Sequence, residues 1–366
     1  MIVIGNPSQE WHNGLSYVTV NIVEENNSRV LYYAVNEEYG QFQSCELVDP
    51  FLVGILLYAI RNNQDIKVQG NISSRLGYNL KTIIYVLSAS FGYNTINVTY
   101  NGLIENSFES TAVGCGCSLG VDSLSAIIHN LSDECPDSYR ITHLTYFNVG
   151  AMGYKNLQIA KESYNKDLIF VKKYAQYKNL PLICIESNIP VYMEGFDFDQ
   201  CGLICNMGAA LSLPKLFSKY LYASDYLIKE THLSSKCLGY IAPLLLPLLS
   251  TNSTELVLVD TTLSRSQKTE YISDTIDAQE NLYVCWKEVI VNKNPNSPIS
   301  KIKDKFRNCT RCDKCLRTIL TLDILGKLDK FSNLFDVRYY KEVKNKYIAK
   351  IYLYKKRIHF MQIYMS

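Results

Sequence analysis

Several features are scarce in this 366-residue chain, and each scarcity excludes something. No apolar run is long enough to cross a bilayer. The most apolar stretch, Leu238–Leu249, is short and is broken by Pro243 and Pro247. The start, MIVIGNPSQEWHNG, lacks a basic region followed by an apolar run, so no signal peptide is expected and the chain is expected in the cytoplasm, with no membrane partner. Charge of neither sign dominates: the net value of +2 gives no bulk attraction to a polyanion. Histidine is rare and scattered, with 5 residues, and no Ser–His–Asp or Cys–His arrangement stands out for covalent catalysis.

Cysteine, by contrast, is plentiful. Twelve cysteines without an export signal point to reduced thiols, and to metal binding or catalysis wherever they cluster. The composition, 47% hydrophobic and 20% charged, is that of an ordinary globular protein, and the length suits two or three domains.

Residues 1–109 read as an α+β module. Ser16–Glu25 and Arg29–Asn36 alternate as strands about a polar turn, Phe51–Arg61 and Leu76–Ser90 read as helices, and Ile66–Val68 and Thr95–Thr99 as short strands. No chemical motif stands out there, and a scaffolding or substrate-shaping role is expected. From residue 110 strands and helices alternate, which argues for a parallel α/β sheet through about residue 270. Expected strands are Ile141–Val149, Leu180–Ile185, Lys219–Ala223 and Glu255–Val259. Expected helices are Tyr154–Lys178 and Cys201–Phe217, with a solvated loop, Val191–Gln200, between two of these elements. Gly208 is a candidate for close approach of a ligand. Residues 271–330 form a cysteine-bearing subdomain, with a helix over Leu316–Leu325 ended by Gly326 and a polar excursion over Asn292–Ser300. The tail, 331–366, is basic and Tyr-rich. Edge strands over Tyr347–Tyr354 are expected there, with nucleic-acid contact as the less favoured reading.

Chemistry concentrates in two places. Thr111–Leu131, TAVGCGCSLGVDSLSAIIHNL, reads as strand, tight turn and amphipathic helix. The helix start offers unpaired N–H groups and the positive end of the macrodipole, a seat for phosphate. The hydroxyls of Ser118 and Ser123 add donors, and Asp122 suits Mg²⁺. The second place is FRNCTRCDKCL, where Cys309, Cys312 and Cys315 are spaced C-x₂-C-x₂-C. Three thiolates so spaced converge on one metal, and Cys285 is the simplest fourth ligand for tetrahedral Zn²⁺. An iron–sulfur cluster also uses four thiolates. Further along, Arg265 and Lys268 are three residues apart and share a helix face, which suits a polyphosphate.

Ser118-Leu119-Gly120-Val121-Asp122-Ser123 resembles the SGGxDS loop of the PP-loop ATP pyrophosphatases, with Leu119 where that superfamily usually has Gly. A backbone with φ > 0 at that position would strain a leucine. The order of loop and cysteine run, NCTRCDKCLRT included, resembles the 7-cyano-7-deazaguanine synthase group of that superfamily, in particular uncharacterised relatives with an added N-terminal module. The resemblance covers roughly residues 110–327.

It implies a HUP-like, adenine nucleotide alpha hydrolase-like core, followed by a four-cysteine zinc subdomain. It implies ATP and Mg²⁺, with Ser118, Gly120, Val121, Asp122 and Ser123 holding pyrophosphate. Asn148 and Gly150, at a strand's carboxyl end, would meet adenosine. Ser264–Thr269 is similar to an SR-x-x-K-T stretch in these proteins, which implies that Arg265 and Lys268 offset developing charge beside Asp122. The implied reaction is adenylation of a small molecule's carboxylate or carbonyl oxygen, then attack by a nitrogen nucleophile, a ligase forming C–N bonds. A PP-loop thiolase, a sugar amidotransferase or a non-catalytic nucleotide sensor is the alternative.

Overall fold

The computed structural model describes residues 1–25, 27–153, 157–285, 287 and 306–364. Alternating side chains build the amino-terminal strands β1 (Ile2–Ile4), β2 (Ser8–His12), β3 (Leu15–Glu24) and β4 (Asn27–Asn36). In β3, Val18, Val20 and Ile22 point inward and their neighbours outward, the period of two expected of a sheet with differing faces. Helix α1 (Asp49–Arg61) is apolar nearly all round and is buried nearly all round. Then come β5 (Ile66–Val68), β6 (Asn71–Ser73), α2 (Ser74–Phe91), β7 (Val98–Thr99) and β8 (Gly102–Ile104). The strand expected over Thr95–Thr99 is only its last two residues.

The second half of the sheet is wound in parallel. Strand β9 (Ala112–Gly116) leads into α3 (Val121–His129), β10 (His143–Asn148), α4 (Leu157–Tyr177), β11 (Leu182–Ser187), α5 (Phe198–Leu211), β12 (Phe217–Ala223), α6 (Ala242–Leu249) and β13 (Glu255–Val259). The expected start of α4 at Tyr154, like the excursion over Asn292–Ser300, lies outside the described residues.

Three expectations in this half need correction. Residues 191–200 are not a free loop: a 3-10 turn spans Ile189–Met193, and α5 begins at Phe198, where the Asp197 N–H donates to the Gln200 side chain at 2.8 Å. Nor does the helix run to Phe217, because it ends at Leu211 and Phe217 opens β12. Gly208 admits no ligand. A Cβ there would collide with the Tyr33 hydroxyl, so the glycine lets α5 close onto α1.

Eleven of these strands form one sheet in the order β13-β12-β9-β10-β11-β4-β3-β1-β5-β7, with β2 paired to β3, and β6 and β8 form a separate parallel pair. Its centre is mostly parallel. β11 pairs antiparallel with β4 through Ile185↔Val35 and Glu186↔Ala34, so the strands of residues 1–109 extend the sheet of residues 110–270. One buried cluster joins both stretches: Phe51 and Leu56 of α1 pack with Ile204 and Met207 of α5. The other face carries α3, α4 and the carboxyl-terminal helices, with Leu124, Ile127, Tyr164 and Tyr174 among its core.

After β13 come α7 (Arg265–Ile272), α8 (Ile276–Asn281), α9 (Asp313–Ile324) and α10 (Val337–Tyr364). The tail is thus a 28-residue helix, not edge strands. Tyr340, Val343 and Tyr347 explain why, since this i, i+3, i+7 stripe packs on the core and fixes a helical period. Gly326, at φ 68°, follows α9 as its left-handed stop. Among the described residues, no helix is long and apolar enough to cross a membrane.

Candidate functional site

The chain crosses over at β9. From it the sheet grows through β10 to β11 on one side and through β12 to β13 on the other. In an open parallel sheet this reversal opens a crevice at the strands' carboxyl ends. The residues leaving β9, β12 and β13 at that end are the 117–123 loop, Ser224 with Asp225, and Asp260. The sequence motif therefore stands where the topology leaves room for a ligand.

The loop is held by named contacts. Cys117 N–H donates to Thr145 O at 2.8 Å, and Ser118 N–H to Ser123 Oγ at 3.1 Å. Leu119 has φ +60°, a left-handed backbone that costs an L-residue about 1–2 kcal/mol. The leucine persists because its side chain is fully buried among Cys117, Val121, Leu282 and Val284, and burying a Leu contributes roughly 1.5–3 kcal/mol. Its carbonyl accepts from Tyr283 N–H at 2.8 Å. Gly120, the residue before the helix, is extended and brings no capping side chain. The first N–H groups of α3 are left for solvent or an anion.

Asp122 stands on the first turn of α3. Its Oδ2 pairs with Arg265 Nη1, while its Oδ1 is buried, accepts no hydrogen bond and lies 3.7 Å from Lys268 Nζ. Arg265 and Lys268 share a face of α7 as the spacing indicates, and both reach Asp122. Lys268 is only 1% exposed and donates to Ser224 O at the exit of β12, so it braces the crevice from inside. Asp122 Oδ1 is thus a buried carboxylate oxygen that, among the described residues, takes no hydrogen bond and has only the Lys268 ammonium beside it, while Oδ2 is committed to Arg265. The Asp260 carboxylate takes Ser125 Oγ at 2.6 Å and His129 Nδ1 at 2.8 Å, tying α3 to the end of β13. Asn148 and Gly150 end β10 beside β9, with Gly150 at φ 114°.

Sequence reasoning did not single out three groups near Asp122 and Arg265, nor Arg307, which lies by Tyr283. Asp225 keeps a solvent-open face, yet loss of surrounding water and then the Asp122 carboxylate push it up to about 6. Burial, and then Arg265, draws Lys314 down to about 8, and Arg317 is lowered for the same two reasons. Arg307 lies over the rings of Phe170 and Tyr283, at 4.1 and 5.2 Å, and burial lowers it to about 10. Lys314 and Arg317 stand inside the CDKCLRT run, where the cysteines drew attention instead.

The cysteines converge. One Sγ from each of Cys285, Cys309, Cys312 and Cys315 lies within 4.8 Å of the others. Cys309 and Cys315 sulfurs are 3.9 Å apart, and those of Cys312 and Cys315 are 3.4 Å. A tetrahedral Zn²⁺ with bonds of about 2.3 Å needs sulfurs about 3.8 Å apart, so the set fits that ion. Backbone N–H groups of Arg311 and Cys312 point at the Cys309 sulfur at 3.4 Å, and Lys287 N–H at the Cys285 sulfur at 3.2 Å. Thr310, at φ 56°, makes the turn that aims them. Without a cation the thiols compete: Cys285 holds Cys309 down at about 7, whereas Cys285 and Cys315 are pushed up by neighbouring sulfurs. Four thiolates together require a positive ion.

Cys115 and Cys117 are buried, and burial raises the Cys115 thiol to about 12, so neither is a poised nucleophile. A cavity of about 280 Å³ lies between α4 and β11, lined by Tyr164, Lys172, Cys184 and Glu186 among others, and it touches neither the 118–123 loop nor the four clustered cysteines. Cavity volume does not locate the chemistry here; the convergence of charge does. Comparison with known proteins returns no matching family model, curated protein or solved structure.

Proposed function

We propose that the protein is an adenylating ATP pyrophosphatase that binds ATP with its β and γ phosphates at the 118–123 loop. It would cleave ATP between the α and β phosphates and activate a carboxylate or carbonyl oxygen of a small molecule for a nitrogen nucleophile. The observation that carries this reading is the meeting of an uncapped helix start with Asp122 and Arg265 at the sheet's crossover.

Each residue has a physical role in this scheme. The first N–H groups of α3 receive no capping side chain from Gly120, and at that end the helix dipole favours a leaving pyrophosphate. Arg265 provides a guanidinium that can exchange Asp122 for phosphate oxygens as charge develops. Lys268 holds Ser224 and keeps the Asp122 oxygens from drifting. Mg²⁺, when bound at Asp122 Oδ1, supplies charge neutralisation on the phosphates. Zinc in the four-thiolate set has no open position for water and is structural. The buried state of Cys115 and Cys117 weighs against a thiolase.

Binding without turnover is the second reading, favoured by the Arg265–Asp122 pair, which withholds one carboxylate oxygen from Mg²⁺. The products of ATP separate these readings. Purified protein supplied with Mg²⁺-ATP and a pool of small carboxylic acids and ammonium releases AMP and pyrophosphate, and Asp122→Ala lowers the rate by about 10²-fold. Release of ADP and phosphate contradicts the proposal, and so does an undiminished rate in Asp122→Ala.

A further inference from the structure

The cysteine subdomain contributes more than a metal. Lys314 and Arg317 are three residues apart on α9 and stand on one side of it, while Cys315, Leu316, Ile319 and Leu322 are buried on another. Helix α9 packs against α7, whose first residue is Arg265. The charges that act on Lys314 are Arg265, Asp225, Arg317 and Asp122, and those that act on Arg317 include Arg265 and Asp122 with the Tyr226 and Tyr347 hydroxyls. Among the described residues, four cations, Arg265, Lys268, Lys314 and Arg317, thus gather near two carboxylates, Asp122 and Asp225. The next acid on α9 does not redress the balance, since Asp313 faces outward and pairs with Lys350 at 3.0 Å. Crowded like charges repel, and an anion among them removes the repulsion. Several cations with guanidinium forks among them suit a polyphosphate better than a monocarboxylate.

We propose that Lys314 and Arg317 form, with Arg265, a polyphosphate-binding wall opposite the 118–123 loop, so that the cysteine-ligated subdomain delivers charge to the phosphate site. This rests on the loop being a phosphate seat. The C-x₂-C-x₂-C segment then has a second role, because the turn that gathers Cys309, Cys312 and Cys315 also sets where α9 starts, and hence where its two cations stand.

The test is titration calorimetry of inorganic pyrophosphate, and separately of Mg²⁺-ATP and AMP, into the zinc-loaded full-length protein. Lys314→Gln and Arg317→Gln keep helix-forming residues, and Lys350→Gln on the outer face of α10 is the control. Each of the first two variants weakens pyrophosphate at least tenfold and the pair more, while AMP affinity, zinc content and melting temperature stay at wild-type values and Lys350→Gln has no effect. Arg317→Lys recovers part of the loss. Wild-type affinity for pyrophosphate in the double variant overturns the wall and leaves the loop reading intact. A wild-type protein that binds neither pyrophosphate nor ATP overturns both.

Discussion

Leu119 carries the tension of the loop. Its backbone is in a region that favours glycine, and its side chain offsets the strain by filling the space between the loop and residues 282–284. Leu119→Gly therefore has two opposed effects. Relief of the left-handed strain contributes about 1–2 kcal/mol, whereas losing a buried leucine costs about 2–5 kcal/mol. A net loss of about 1–3 kcal/mol is expected in urea denaturation, with ATP binding largely kept because the backbone course is one that glycine adopts readily. A gain in stability would mean that the side chain does not anchor the loop. The departure from a glycine at this position was visible in the sequence. What offsets it was not, because Leu282 and Val284 lie far along the chain.

Asp49 shows a different residue-scale effect. It is buried at the start of α1, where Oδ1 accepts from Ser73 N–H at 2.9 Å and Oδ2 has no partner. Burial raises its carboxyl to about 6. Below pH ~4 the group is protonated in folded and unfolded chains alike and costs nothing. As pH rises towards 6 the unfolded chain ionises first, so stability falls, and above that the buried carboxylate costs about 3 kcal/mol. Asp49→Asn is thus expected to stabilise the protein at pH 7 and to match wild type near pH 4. Denaturant midpoints at both pH values check it, and a constant difference across that range would contradict it.

At the scale of elements, the strap of residues 282–285 joins the two chemical regions. Tyr283 N–H holds the Leu119 carbonyl, and the buried Asn308 side chain holds both Val284 N–H at 2.8 Å and the Leu282 carbonyl at 2.9 Å. Cys309 N–H points at the Cys285 sulfur at 3.4 Å. Asn308→Ala leaves two buried backbone groups unpaired and is expected to cost about 2–5 kcal/mol by denaturation. For protein loaded with zinc at the four cysteines, chelation is expected to loosen the same strap, seen as faster amide exchange at Tyr283 and Val284. Exchange unchanged by chelation would separate metal from loop. Local patterns in the sequence pointed to β9, α3, α7 and the cysteine turn, where periodicity, capping and ligand spacing act over a few residues. They misread α10, because Lys- and Tyr-rich residues fit strand or helix until Tyr340, Val343 and Tyr347 find a core to pack on. The end of α5 was misread too, since Phe217 is apolar enough for either element and its pairing with Ala112 decides the matter.

At the scale of the whole molecule, the sheet unites what sequence divided. The pattern of expected strands and helices changes near residue 110, yet β4 and β11 pair and α1 packs on α5, so the amino-terminal strands extend the sheet that positions the loop. Non-local pairing of this kind leaves little trace in a single sequence. The same holds for the mouth of the crevice, where Asp225 arrives from one segment and Lys314 and Arg317 from another, far from the loop in sequence. In the proposed scheme ATP sits at the sheet's crossover with its phosphates on the 118–123 loop. The most direct measurement is amide hydrogen exchange over the full chain with and without Mg²⁺-ATP. Slowed exchange is predicted at residues 118–124 and at the start of α7, reproduced in part by pyrophosphate alone. Protection absent from those residues, or confined to the cavity between α4 and β11, would contradict it.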